Sequence, residues 1–179
     1  MKAHEKDYEY YFKFSCVACA YFVLMHLVIH LICSTNLNRT YQKMTDNKKK
    51  IEYRTYIVSP LHSLVCVILS SISMFYICPD GKTNFNSNEC LETPRLIHVW
   101  ALLHSCGYFI VDFIFFFFLV GGRSTLDIQT YAHHIIATIT FYETLYFMNW
   151  MIVFGVMLLF MEISTIFLSL RWLLFKHEL

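Results

Sequence analysis

The chain has 179 residues, of which 57% are hydrophobic, and its mean hydropathy is +0.49. Charged residues make up 15%, against about 25% in soluble domains, and the formal net charge is +1. This balance excludes an ordinary soluble domain and gives no case for nucleic acid, so the chain reads as an all-α polytopic membrane protein.

Five apolar stretches predict five membrane helices, over residues 12–33, 56–77, 96–120, 131–147 and 149–175. Each reaches or nears the ~20 residues needed to cross ~30 Å of hydrocarbon. No cleavable signal peptide is expected, because the first stretch is longer than a signal core and acidic residues precede it. That first stretch carries Cys19, His26, His30 and Cys33 on one broad face. Cys19 and Cys33 lie ~21 Å apart along a helix axis, so the set cannot close around one metal ion and packing is the expectation.

Arg39, Lys43, Lys48, Lys49, Lys50 and Arg54 fill the first connection. The positive-inside rule puts this loop in the cytosol and fixes an N-terminus outside and a C-terminus inside. Asn38-Arg39-Thr40 matches a glycosylation sequon but is expected to stay unmodified on that side. The second connection has few cations and carries Cys78 and Cys90, which suit a disulfide on an oxidising side. The third, with Arg123, returns to the cytosol, and the fourth is very short and external. The terminal Lys176-His177-Glu178-Leu179 looks like a lumenal retrieval signal, but a cytosolic tail cannot be read as one. Without repeats or a linker, residues 1–179 read as one domain, and the run Phe115–Phe118 is expected to face lipid.

Ionisable groups within the spans are candidate site residues, because they are costly to place in hydrocarbon. In the third span His104, Tyr108 and Asp112 recur every fourth residue and share one side. Such a line can hold a hydrogen-bonded relay or can satisfy neighbouring helices. Gly107 there permits close packing. In the fourth span Thr130, His133, Ala137 and Thr140 form a small, polar face, and His134 points about 100° away. The two imidazoles therefore cannot do the same job: either one is a base or nucleophile while the other orients it or meets a neighbour, or both are interfacial histidines at the cytosolic membrane boundary. In the fifth span Glu162, Thr165 and Ser169 share a face, and Arg171 and Trp172 follow as interface anchors. Asp112, His133 and Glu162 are all expected to point into the bundle.

The stretches YRTYIVSPLHSLV, GYFIVDF, HHIIATITFY and MEISTIFLSLRWLL, in this order, resemble the TLC domain. That domain is shared by the translocating-chain-associating membrane protein, the ceramide synthases and a neuronal ceroid lipofuscinosis protein. The likeness runs from about Arg54 to Trp172 and is nearer to small TLC-domain proteins, which carry a similar E-x-S-T-x-F-x-x-x-R-W stretch, here Glu162 to Trp172. TLC domains usually continue past that stretch with further helices, so a domain lacking its last helices is expected.

In ceramide synthases a His pair is essential to acyl transfer from acyl-CoA to a sphingoid base. The resemblance thus implies catalytic roles for His133 and His134 with Asp112 in support. His104, Tyr108, Glu162 and Thr165 are the candidate substrate-binding residues. The acidic stretch that follows the pair in ceramide synthases is absent here. Neither a metal nor a cofactor is implied; acyl-CoA would be a substrate. A histidine-box di-iron enzyme is set aside because no HxxHH cluster exists. Two readings stay open: a lipid acyltransferase of lipid homeostasis, or a lipid sensor or accessory subunit without turnover. Membrane lipids are the expected partners, with protein partners in the membrane also open. The resemblance implies the endoplasmic reticulum, although a mitochondrial inner membrane would give the same charge bias.

Overall fold

A computed structural model describes residues 8–35, 38–75, 94–147 and 151–177. The Cys78–Cys90 pairing, the fourth connection and the last two residues of the tail fall outside the described residues. Among the described residues there is no strand, and the architecture is a polytopic helical bundle.

Helix α1 spans Tyr8–Cys33, and a short α2 spans Arg39–Gln42. Helix α3 runs over Asn47–Met74, α4 over Leu96–Ile114 and α5 over Thr125–Phe147. After α6, Ile152–Leu158, comes a 3₁₀ turn, Leu159–Glu162, and then α7, Ile163–Lys176. Among the described residues four helical segments are long and apolar enough to cross a membrane: Glu9–Cys33, Asn47–Met74, Leu96–Val120 and Ile152–Lys176. The expected fourth span is the exception. At 23 residues α5 is about 34 Å long, but His133, His134, Glu143 and five threonines make it the most polar of the set.

Helix α3 starts nine residues before the expected span (Asn47 rather than Tyr56). Asp46 explains this: its carboxylate accepts the Lys48 N–H at 2.9 Å, capping a first turn of lysines that extends beyond the apolar stretch. Likewise α5 begins within the expected third loop. Asp127 accepts both the backbone N–H and the hydroxyl of Ser124, at 2.8 and 2.7 Å, fastening the new helix start.

Between them, α4 ends in a π-helical turn, Phe115–Val120. Gly121 closes it in the left-handed region at φ 70, its N–H reaching the Phe116 carbonyl five residues back at 2.9 Å. The turn corrects the expectation for the phenylalanine run. Phe117 and Phe118 are exposed, but Phe116 is buried and Phe115 packs on the His26 ring at 4.4 Å. A wider turn spreads four consecutive rings over two sides of the helix.

Helix α4 is the centre of the bundle. It packs on α1, α3, α5 and α6, and α3 in turn carries α7. Gly107 is what allows α1 to come close: a Cβ there would stand 2.5 Å from Ala18 Cβ. Phe22, Leu102, Leu103, Cys106, Phe109, Leu145 and Ile152 form the buried core. Leu24, Leu27, Leu31, Phe118 and Phe167 stay exposed, as lipid-facing side chains do.

The basic end is knitted by a polar network. Tyr41 N–H donates to Asn38 Oδ1 at 2.9 Å, so the Asn38 amide nitrogen faces Tyr53 and donates to its hydroxyl at 3.0 Å. The Tyr53 proton is then left for His177 Nε2 at 2.6 Å, and His177 Nδ1–H donates to Thr40 Oγ1 at 3.0 Å. His30 Nδ1 pairs with the Tyr41 hydroxyl at 2.7 Å. Burial raises the Tyr41 phenol above its ordinary value, which keeps it a neutral O–H. The sequon residue Asn38 and the tail residue His177 are thus both structural ties, and His30 is one as well.

Candidate functional site

A cavity of about 580 Å³ lies among α3, α4, α5 and α7. Its lining residues fall in the N-terminal half of α3, the C-terminal half of α4, the N-terminal half of α5 and all along α7. All four helices therefore place it at the end that carries the basic first loop. Phe116, Leu126, Leu168 and Phe175 supply apolar walls, and Asp112, His133, His134, Glu162 and Thr165 supply polar ones. Arg171 also lines it, nine residues beyond Glu162, or about 14 Å along the helix axis.

Two imidazole–carboxylate pairs meet here, each joining α5 to a different neighbour. His134 Nδ1 lies 3.3 Å from Asp112 Oδ2, and both side chains are sealed from solvent. The approach is a close contact off the hydrogen-bond line: His134 Nδ1 and Asp112 Oδ1 both lack a hydrogen-bond partner. His133 Nε2 lies 3.7 Å from Glu162 Oε1. The His133 side chain is 59% exposed against 14% for Glu162. The expectation that Asp112, His133 and Glu162 all point into the bundle thus holds for the carboxylates, while His133 faces the cavity and Glu162 but stays largely exposed. Its neighbour His134 takes the inward position, because the face of α5 that meets α4 carries Tyr131, His134, Phe141 and Leu145. The two histidines therefore sit in different surroundings, one largely exposed and one enclosed.

The other candidates divide. Tyr108 and Thr165 line the cavity, and Thr165 Oγ1 donates to Glu162 Oε2 at 2.9 Å. His104 does not line it. Its ring packs on Phe22 at 4.9 Å and His62 at 5.4 Å, with Nε2 buried and unpartnered. Ser169 is at the cavity wall, as are Arg171 and Trp172, which sequence reasoning assigned only to the interface. Trp172 stacks flat on Tyr56, 4.0 Å between centroids and 5° between planes.

His62, Ser63 and Tyr56 of α3 were not singled out from the sequence. His62 is fully buried and stacks on Tyr108 at 3.9 Å, with its ring 3.3 Å from the Cys66 thiol. Ser63 donates to Glu162 Oε2 at 3.5 Å. A signal was present: Ser59, His62, Ser63, Cys66, Ser70 and Ser73 recur at three- and four-residue steps, a buried polar stripe along α3.

Chemically, the site presents one accessible imidazole braced by a carboxylate and a second, enclosed pair beside it. That combination can accept and return a proton next to an apolar chain. Among the described residues no cluster suited to a metal ion is present. A family model described as the TLC domain matches residues 52–178. No curated protein and no solved structure matches the chain.

Proposed function

Because the chain belongs to the TLC-domain family, an integral membrane family, we propose that it binds an acyl lipid in the cavity and transfers the acyl group. The observation that carries this reading is the meeting of both imidazole–carboxylate pairs at one partly apolar cavity within the membrane helices. The exposed His133 is the base that touches the acceptor, and Glu162 steadies it. His134 and Asp112 form the enclosed wall beside the reacting carbonyl. Phe116, Leu126, Leu168 and Phe175 hold the chain, and Tyr108 lies beside the polar floor. Acyl-CoA is the donor, reached from the basic, cytosolic end. An acceptor amine attacks the thioester carbonyl, His133 takes the amine proton, and the departing thiolate receives it. The reading treats residues 1–179 as one domain and puts the protein in the endoplasmic reticulum, in lipid homeostasis.

Purified protein with labelled acyl-CoA and a panel of long-chain amines tests this. Wild type forms amide, and His133→Ala lowers the rate by roughly 10²–10⁴, with the protein still folded. Equal activity in the variant removes His133 from the chemistry. A second reading is a lipid sensor without turnover. One observation favours it: the residues after the His pair carry no acid, and Ile135, Ile136 and Ile139 are exposed on the outer side of α5. A folded wild type that retains lipid but forms no amide would select that reading.

A further inference from the structure

The geometry points to Ser63 and Thr165 as positioning residues that hold one oxygen of Glu162 so that the other stays on His133. This rests on the proposed role of His133, though its test needs no turnover.

The two carboxylate oxygens of Glu162 are divided. Oε2 accepts from Thr165 Oγ1 at 2.9 Å and from Ser63 Oγ at 3.5 Å, while Oε1 faces His133 Nε2 at 3.7 Å. The donors come from α7 and α3 and the imidazole from α5, so one side chain links three helices. A glutamate has three rotatable side-chain bonds and, unheld, would leave an imidazole it only approaches within ion-pair distance.

The hydroxyls themselves show that this arrangement is not the default. A serine or threonine inside a helix ordinarily bonds back to a carbonyl three or four residues earlier. Ser15, Ser71, Ser105, Thr130, Thr138 and Ser164 all do so here. Thr165 and Ser63 donate to the carboxylate instead. Ser63 is completely buried, so its hydroxyl has no bulk water to bond.

The backbone supports the same aim. Glu162 ends the 3₁₀ turn, Leu159–Glu162, just before α7 begins. A 3₁₀ turn advances 120° per residue against 100° in an α-helix, so four residues add roughly 80° of rotation. That rotation lets α6 bury Ile152, Val153 and Val156 in the bundle while Glu162, Thr165 and Ser169 turn to the cavity.

The test is the pH profile of diethyl pyrocarbonate modification at His133, in full-length protein in phospholipid nanodiscs, resolved from His134 by mass spectrometry. His133 is exposed enough to react, and the buried His134 is the internal reference. Glu162→Gln moves the midpoint of the His133 profile. Thr165→Val moves it in the same direction by about 0.4–1 pH unit, the equivalent of one net hydrogen bond. Thr165→Ser keeps the wild-type midpoint, and Ser63→Ala gives a smaller shift, as its longer contact implies. A Thr165→Val or Ser63→Ala profile superposed on wild type, with Glu162→Gln shifted, overturns the positioning role. An unshifted Glu162→Gln profile overturns it too, by removing the pair it serves. If Thr165→Val does not fold, Ser63→Ala and Thr165→Ser decide the matter. Loss of amide synthesis as a function would leave these profiles unchanged, so the two failures are distinct.

Discussion

Gly107→Ala is a one-carbon test of how α4 is seated. The added Cβ would stand 2.5 Å from Ala18 Cβ, 2.9 Å from the Ala18 carbonyl carbon and 3.1 Å from Cys19 N. Carbon pairs sit at about 3.5–4.0 Å, so α1 and α4 must part by roughly 1 Å. Two of the three obstacles are backbone, which cannot rotate away. Overpacking of this kind costs about 1–3 kcal/mol, and the higher helix propensity of alanine returns up to about 1 kcal/mol. With two backbone obstacles the cost lies in the upper part of that range, about 2–3 kcal/mol, so the net loss of about 1–2 kcal/mol corresponds to a Tm roughly 2–8 °C lower. Gly155→Ala is the control. Its nearest neighbours would be the side-chain end of Leu102, the closest methyl at 3.2 Å, and a leucine tip can turn. Thermal unfolding of both purified variants, beside wild type in one detergent, compares the two sites. Gly107→Ala should lose stability and Gly155→Ala should stay near wild type. A Gly107→Ala protein as stable as wild type would refute the close α1–α4 approach, and with it the seating of Tyr108 and Asp112 on the same helix.

Cysteine labelling tests the orientation: a cysteine placed at Asn47 should react only from the cytosolic side and Cys78, after reduction of any disulfide, only from the opposite side. The reverse pattern would invert the bundle. Tyr53→Phe removes the proton that Tyr53 gives His177 at 2.6 Å, and should cost about 0.5–1.5 kcal/mol, read as a lower unfolding midpoint. No change would mean the tail is not tied down. Phe22→Ala, at a ring 1% exposed, should cost about 3–5 kcal/mol, whereas Phe118→Ala, 68% exposed, should be close to neutral in the same unfolding measurement.

Much of this fold could be read from hydropathy, because apolar length is a one-dimensional property. The limits of the third span, Leu96 and Val120, match the structure for that reason. Helix ends set by side-chain caps were less legible. Asp46 and Asp127 begin α3 and α5 within segments that read as loop by composition alone. The π turn after Ile114 leaves no mark in periodicity, so the inward Phe115 and Phe116 were not foreseen. The acids Asp112 and Glu162, which line the cavity, were legible as candidates because charge in an apolar span is rare. The choice between His133 and His134 as the inward residue was not, since it depends on which face of α5 meets α4. Ser63 lay in a readable stripe, but its partner Glu162 is 99 residues away in sequence, and pairing across that distance needs the fold.

On the proposed function, the cavity among α3, α4, α5 and α7 holds an acyl chain. Photo-cross-linking with a diazirine-tagged fatty acid, in nanodiscs, tests it most directly. Cross-links should concentrate on the peptides carrying Leu126 to His134 and Leu168 to Phe175. They should fall in Thr130→Trp, whose indole fills the cavity from α5, and persist in Leu24→Trp on the outer face of α1. Cross-links spread evenly over Leu24, Leu31 and Phe118, and unchanged by Thr130→Trp, would contradict the account.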